Sequence, residues 1–89
     1  MAVGPEEALR DPRRRVVGAR ETLKRVLAGD AQRVWVAKDA DPAVVAEVIA
    51  AATSRQIPLH YVDTMAELGQ WCGIQVKAAC AAETVKPRR

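Results

Sequence analysis

The sequence predicts an α/β protein, folded as a three-layer α/β/α sandwich with a small central mixed sheet. Short β-branched or apolar segments alternate with amphipathic segments of helical period, as expected when helices cover both faces of a sheet. The length of 89 residues allows one domain. The hydrophobic residues, 49% of the chain, include no Phe, two Trp and one Tyr. We therefore expect tightly packed layers, without a pocket for a large cofactor.

The N-terminal part of the chain predicts an arm followed by a strand. Residues 1–14 contain Gly4, Pro5 and Pro12 among many charges and show no sustained apolar period, so we expect a flexible arm or at most a frayed helical turn. The fold begins near Arg15. A short strand then follows and ends at the glycine of VVGARETLK.

The first helix is predicted within Glu21–Ala28. Leu23, Val26 and Leu27 follow helical spacing. Gly29 stands where a left-handed residue commonly ends a helix. The next segment, RVWVA over Arg33–Ala37, is nearly apolar throughout, which predicts a strand covered on both faces.

The main packing helix is predicted over Pro42–Ser54. Asp41 and Pro42 form the preferred pair of an N-cap and a first helical residue. The valines and Ile49 that follow make a broad apolar stripe. A short strand over Leu59–Val62 comes next.

A third helix over Met65–Trp71 is capped by Asp63 or Thr64 and ended by Gly73. The small apolar segment Lys77–Val85 predicts a last strand, although its alanines also allow a helix. These elements place a single domain at residues 15–85, followed by a basic tail at residues 86–89.

The charge pattern favours a polyanionic partner. The net charge is +3, and basic residues crowd the first third of the chain and its last four residues. Such a stripe suits nucleic acid through counterion release, although basic ends also act as solubilising tails. No apolar run reaches signal-peptide or membrane-span length, so we expect a cytoplasmic protein without a membrane partner.

The residues that commonly carry catalysis or bind metals have simpler interpretations here. Cys72 and Cys80 match neither a zinc nor a redox spacing and are expected to be buried, reduced thiols. His60, the one histidine, lies within a predicted strand without a neighbouring nucleophile pattern. Asp39 and Asp41 are better explained as a strand-end carboxylate and a helix cap than as a cation site. We therefore expect no enzyme activity, no cofactor and no metal.

The segment VVGARETLK, which runs from Val16 to Lys24, has the features of a ligand site. A strand that breaks at Gly18 into a helix exposes backbone N–H groups at the positive end of that helix, which can take a phosphate. Arg20 and Lys24 lie four residues apart on one face of the predicted helix. The alternative is an ordinary strand-to-helix turn with solvated surface charges.

Three segments taken in order resemble the L-seven-Ae superfamily of ribosomal and kink-turn-binding RNA proteins, in particular its small bacterial members. They are VVGARETLK, VWVAKDADP and LG-x-x-CGIQVKAA. The resemblance covers about residues 16–84. It implies an α/β/α fold that clasps a sharply bent RNA duplex built on tandem sheared G·A pairs. The family's usual residue at the position of Arg20 is asparagine, whereas bacterial members often carry a basic residue there.

The resemblance also implies which residues contact RNA. Gly18 allows close backbone approach, Arg20 donates to guanine O6 or N7, and Glu21 accepts from a guanine amino edge. Asp41 and Val45 lie beside an extruded nucleotide, although a cap and a core residue explain them equally. Ile74 and Val76 cover a splayed-out base, or instead tuck under the neighbouring strand. The full set is Gly18, Ala19, Arg20, Glu21, Lys24, Lys38, Asp41, Val45, Ile74, Gln75, Val76 and Lys77.

The expected function is therefore recognition and stabilisation of kink-turn-type RNA by a non-enzymatic ribonucleoprotein component. The expected partner is structured RNA, either ribosomal RNA with the ribosome or a regulatory leader, and no DNA partner is expected. The competing hypothesis is a protein-protein interaction module on the same scaffold, since a fold does not fix a function.

Overall fold

The computed structural model describes residues 9–84, and its strands and helices alternate as the sequence predicts. Three helices and four strands follow one another in the order β1 (Arg15–Val17), α1 (Ala19–Ala28), β2 (Ala31–Ala37), α2 (Pro42–Ser54), β3 (Leu59–Val62), α3 (Met65–Trp71) and β4 (Cys80–Thr84).

The four strands form one mixed sheet in the order β1-β4-β2-β3. Strand β3 is parallel to β2, whereas β4 is antiparallel to both β1 and β2. Strands β1, β2 and β3 therefore run in the same direction. We call the edge where these three strands end the helix-start edge, since each helix begins shortly after it, and the edge where they begin the helix-end edge.

The helices cover both faces of the sheet. Helices α1 and α2 pack against each other and against the sheet, and α2 shares a groove with Val36 and Tyr61 of β2 and β3. Arg15 points to the opposite face, where its guanidinium donates to the Cys72 carbonyl at the end of α3. The predicted α/β/α sandwich is thus confirmed.

The core is centred on β2, the strand predicted to be covered on both faces. Residues 34–37 are all buried, and Trp35 is the largest fully buried side chain among residues 9–84. One face of β2 carries Val34 and Val36, and the other carries Trp35, because successive residues of a strand alternate. Burial on both faces explains why this segment is almost entirely apolar.

The helix ends follow the predicted capping chemistry. Helix α1 ends at Gly29, whose φ of 84° is left-handed. The Asp41 side chain accepts from the Ala43 N–H at 3.0 Å, and Pro42 is the first residue of α2. Thr64 rather than Asp63 caps α3, since its hydroxyl accepts from the Glu67 N–H at 3.0 Å. These contacts satisfy donors that the helices leave unpaired.

The last strand is shorter than predicted. Strand β4 begins at Cys80 and not at Lys77, because the Ala78 N–H donates to the Met65 carbonyl of α3 and holds the preceding residues in a loop. Strand β2 instead begins two residues before the predicted Arg33. Val85 and the predicted basic tail at residues 86–89 lie outside the described residues.

The last residues of the predicted arm contact the domain. Leu9 is fully buried, and its carbonyl accepts from Arg15 Nε at 2.9 Å. The Arg14 N–H also donates to the Asp11 carbonyl in a turn. Burial of one leucine fixes this segment against the domain, even though the sequence around it lacks an apolar period. Residues 1–8 lie outside the described residues.

Within residues 9–84 no helix has the length and apolarity needed to cross a membrane.

Candidate functional site

The three motifs found in the sequence meet at the helix-start edge. The Gly18 N–H donates to the Cys80 carbonyl at 2.7 Å, which ties the turn after β1 to the start of β4. The Ala37 N–H donates to the Ala79 carbonyl at 2.9 Å, which ties the end of β2 to the same loop. The turn at Gly18, the start of α2 and the loop before β4 therefore lie side by side, because β1 and β2 end at this edge and the antiparallel strand β4 begins there.

The turn at Gly18 needs glycine for its backbone and leaves open space around it. Gly18 has φ of 99° and ψ of 152°, a region that L side chains rarely adopt. A Cβ placed on it would meet no atom within 4 Å. No side chain caps α1 at this end. The backbone N–H groups of the first turn, including that of Ala19, are therefore accessible to a ligand that approaches Gly18.

The charged side chains of α1 lie next to this turn. Arg20 is exposed, and Lys24 Nζ lies 3.7 Å from Glu21 Oε2. This ion pair is largely solvated, so it contributes little to stability and exchanges partners at small cost. Arg20 also lines a groove of about 340 Å³ between α1 and α2, which Val44 and Glu47 border from the other side.

The two aspartates before α2 have structural partners, as the sequence analysis favoured. Asp41 caps α2, and Asp39 Oδ1 accepts from the Met65 N–H at 2.7 Å at the start of α3. Lys38 is exposed, and its Nζ lies 3.3 Å from Asp63 Oδ1. Asp39 therefore ties the turn before α2 to the first residue of α3, a role that its position in the sequence did not indicate.

Val45 is mainly a core residue, with only 5% of its surface exposed. Its exposed side opens into an apolar groove of about 540 Å³ between α2 and β3. Lys38 lies at this groove, and Tyr61, 52% exposed, forms its other wall. Among the RNA-contacting residues expected at the start of α2, the Lys38 side chain is thus far more accessible than that of Val45.

The loop before β4 presents one strongly exposed aliphatic side chain. Val76 is 70% exposed, whereas Ile74 is partly buried and packs against the core. Gln75 and Lys77 are exposed beside them. These four residues line a groove of about 360 Å³ next to α3. The structure therefore supports an exposed position for Val76 and a tucked one for Ile74.

Gly69 determines where this loop lies, and the sequence analysis did not single it out. It is buried in the middle of α3, and a Cβ on it would collide with the carbonyl oxygen of Val76. The Ile74 N–H donates to the Gly69 carbonyl at 3.1 Å. A glycine inside a predicted helix was the available signal, since such a residue usually has a packing reason.

The remaining reactive side chains have structural environments. His60 is exposed and stacks on Trp35 with ring centroids 5.7 Å apart. Cys72 and Cys80 are free and buried, as expected. Burial raises the pKa of Cys80 to about 11. Burial also raises the pKa of Cys72, against a smaller opposite effect of the nearby Arg15 charge. Both thiols stay protonated at neutral pH and are poor nucleophiles.

Comparison with known families places the chain in one group. Residues 5–88 match the model of the ribosomal protein L7Ae/L30e/S12e/Gadd45 family. An RNA-binding protein of Caldanaerobacter subterraneus subsp. tengcongensis is 47% identical over 77 residues, which cover 86% of this chain and 94% of the relative. An RNA-binding protein of Halalkalibacterium halodurans is 48% identical over 67 residues, which cover 75% of this chain and 82% of the relative.

Solved structures show the same fold. The Giardia lamblia 15.5kD RNA binding protein aligns with a TM-score of 0.80 and 28% identity, covering 89% of this chain and 66% of that one. A protein of unknown function from Bacillus halodurans aligns with a TM-score of 0.75 and 20% identity, covering 91% of this chain and 85% of that one. The second likeness concerns the fold alone.

Proposed function

The chain belongs to the ribosomal protein L7Ae/L30e/S12e/Gadd45 family, and from this membership we propose that it binds RNA and recognises kink-turn-type RNA by stabilising its bent state. The curated relatives are named as RNA-binding proteins and not as enzymes, in agreement with the expectation of a non-enzymatic protein. The single observation that carries the proposal is the meeting of all three motifs at the helix-start edge.

A bent RNA suits the geometry of this edge. Regular A-form RNA has a major groove too deep and narrow for side chains, so base edges there are read only where the helix is opened. The start of α1 projects backbone N–H groups and exposed side chains from one narrow turn. The space in front of Gly18 is free of protein atoms, so the RNA backbone or a base can approach the main chain closely.

The α1 residues would make the base-specific contacts. Arg20 would donate to guanine O6 and N7, and Glu21 would accept from a guanine amino group. Lys24 would then leave its weak pair with Glu21 and bind a phosphate. Because that pair is solvated and about 3.7 Å long, breaking it costs little relative to a charge-assisted contact with RNA.

The second and third motifs would hold the unpaired nucleotides of the kink. Lys38 and the exposed side of Val45 border one part of the edge, beside Asp41. Val76 offers an aliphatic surface to a splayed-out base, flanked by Gln75 and Lys77. Val76 is 70% exposed, and an unstacked base that packs on it would remove this apolar surface from water. We propose ribosomal RNA or a structured regulatory RNA as the ligand, bound in the cytoplasm.

The decisive experiment measures binding to an end-labelled kink-turn RNA at physiological salt, with energy transfer between the two ends reporting the bend. The comparison RNA has its sheared G·A pairs replaced by Watson–Crick pairs. A ligand shifts a two-state equilibrium only by its differential affinity for the two states. We expect tight binding and bending of the first RNA alone. Equal, weak binding to both would contradict the proposal.

Variants then test the assigned edge. Glu21→Ala and Lys24→Ala should each weaken kink-turn binding by about 1 to 3 kcal/mol, the range of a base or charge-assisted contact. Gln32→Ala, an exposed change on β2 at the helix-end edge, serves as the matched control and should bind like the native chain. If both α1 variants bind RNA normally and a protein partner still co-purifies, the interaction-module hypothesis replaces this one.

A further inference from the structure

Within residues 9–84, acidic and basic residues are distributed unequally between the two edges of the sheet. The helix-start edge, where we propose the kink-turn to bind, has four basic residues and six acidic ones in the first six residues of each helix, the turns before the helices and the loop before β4. The basic residues are Arg20, Lys24, Lys38 and Lys77, and the acidic ones are Glu21, Asp39, Asp41, Glu47, Asp63 and Glu67. Most of the protein's positive charge is therefore not at the proposed kink-turn site.

The helix-end edge carries the excess positive charge. Within residues 9–84, seven arginines and three acidic residues lie at or next to this edge. The arginines are Arg10, Arg13, Arg14, Arg15, Arg25, Arg33 and Arg55, and the acidic residues are Asp11, Asp30 and Glu83. Each of the three acids already has an arginine partner: Arg13–Asp11 at 3.7 Å, Arg25–Asp30 at 2.9 Å and Arg33–Glu83 at 2.7 Å. The other four arginines have no acidic partner among the described residues.

Three of these four arginines are free to bind a ligand. The Arg15 guanidinium is used by the fold, since it donates to the Leu9 and Cys72 carbonyls. Arg10, Arg14 and Arg55 are exposed. Arg13 adds to this set, because its 3.7 Å contact with Asp11 leaves 75% of the side chain exposed.

These arginines lie along one edge. Arg10 follows Leu9, whose carbonyl accepts from Arg15 Nε, and Arg13 lies in the turn that the Arg14 N–H closes on the Asp11 carbonyl. Arg14 directly precedes β1, and its carbonyl accepts from the Thr84 N–H at the end of β4. Arg55 follows α2, three residues before Pro58, whose carbonyl accepts from the Val34 N–H near the start of β2. With strands about 4.8 Å apart, the two outer strands of this four-stranded sheet are separated by about 14 Å. The basic residues Lys86, Arg88 and Arg89 follow Thr84 closely in the sequence.

We propose that Arg10, Arg13, Arg14 and Arg55 form a second RNA surface, which binds the phosphate backbone of an RNA segment outside the kink-turn. Positively charged side chains bind phosphates by neutralising their charge and releasing counterions, and they need no base sequence for this. The inference rests on the proposed function, because an RNA held at the helix-start edge brings its flanking segments near. The molecule measures 32 × 27 × 25 Å, so one RNA can reach both edges.

The test compares two kink-turn RNAs, one with minimal stems and one with an added single-stranded extension of about 20 nucleotides. This extension is longer than the roughly 4 to 16 nucleotides that one single-strand-binding fold covers. The full chain is compared with a variant that combines Arg10→Gln, Arg13→Gln, Arg14→Gln and Arg55→Gln. A matched variant places lysine at the same four positions and keeps the charge. Circular dichroism checks that all three chains fold.

The native chain should bind the extended RNA more tightly than the minimal one. With about three phosphate contacts to the single-stranded extension, this advantage should shrink about 20-fold between 50 and 200 mM salt. The glutamine variant should lose the advantage and bind the minimal RNA normally, whereas the lysine variant keeps most of it. An unchanged advantage in the glutamine variant, no advantage in the native chain, or equal losses on both RNAs would overturn the inference.

Failure of the kink-turn proposal gives a different result. In that case the minimal RNA and its Watson–Crick counterpart bind alike. The extension adds affinity to both through the second surface, and the glutamine variant removes that added affinity. The two hypotheses are therefore tested by separate comparisons in the same set of measurements.

Discussion

Gly18 and Gly69 are both required, but for opposite physical reasons. Gly18 has open space around it and a backbone conformation that other residues avoid. Gly69 lies in an ordinary helix, but the main chain of Val76 occupies the place of its Cβ. One glycine is therefore constrained by its own φ and the other by a neighbouring segment, and the two substitutions have different consequences.

Gly18→Ala should destabilise the fold by about 1 to 3 kcal/mol, because alanine must adopt a strained backbone at φ of 99°. The free energy of unfolding in urea measures this cost. Since the added methyl group would meet no protein atom, we expect the crystal structure of the variant to keep the same turn. An unchanged stability would show that the backbone at this position is not strained.

The buried Cys80 thiol predicts a loss of stability at alkaline pH. Its pKa is raised by burial from 9.0 to about 11, so the folded state holds its proton where the unfolded state loses it. The contribution of the protonated Cys80 thiol to the free energy of unfolding is complete below about pH 9 and is lost as pH rises through about 11. Between pH 8 and pH 10.5, the urea midpoint of unfolding should fall more for the native chain than for Cys80→Ala. Parallel declines would show that other groups cause the effect.

At the level of elements, local signals predicted most of the fold. The Asp41-Pro42 pair, Gly29 and the apolar RVWVA segment act within a few residues, and each was interpreted correctly. The positions that these patterns did not indicate depend on partners outside the local segment. The residues before Cys80 look like a strand, but a hydrogen bond from Ala78 to Met65 holds them in a loop, and the position of Leu9 is fixed by Arg15.

The candidate site shows the same division between local and distant information. The α1 residues could be selected from the sequence, because Gly18 and the charges after it are adjacent in the chain. The positions of Asp39 and Gly69 depend on contacts with α3 and the loop before β4, which no local spacing reveals. The assignment of specific RNA contacts rests on family resemblance and remains a prediction.

Gly69→Ala should displace the loop before β4, because the new methyl group collides with backbone rather than with a movable side chain. Since this loop presents Val76, we expect the kink-turn RNA affinity to fall about tenfold, equal to 1.4 kcal/mol. Hydrogen exchange of the amides from Ile74 to Ala78 reports the displacement directly.

Gly29→Ala is the matched control for this change. It substitutes the same residue type at a left-handed position without crowding, at the opposite edge of the sheet. It should lower stability and leave both the loop exchange and RNA binding unchanged. If Gly69→Ala behaves in the same way, the position of the loop does not depend on this glycine.

For the whole molecule, the charge distribution suggests a division between specificity and attraction. The helix-start edge contains more acids than bases among residues 9–84, so binding there would depend on base edges and shape more than on net charge. The arginines of the helix-end edge supply long-range attraction that does not depend on base sequence. Specific recognition and non-specific affinity should therefore respond differently to salt.

The basic C-terminal residues test this division. Deleting residues 86–89, which include Lys86, Arg88 and Arg89, should weaken the binding of RNAs of equal length by the same factor, because phosphates carry no sequence information. Each lost phosphate contact should reduce the slope of log affinity against log salt by about 0.7 to 0.9. Titrations of kink-turn, Watson–Crick and single-stranded RNAs at several salt concentrations measure both effects. A loss confined to the kink-turn RNA would instead assign these residues to specific recognition.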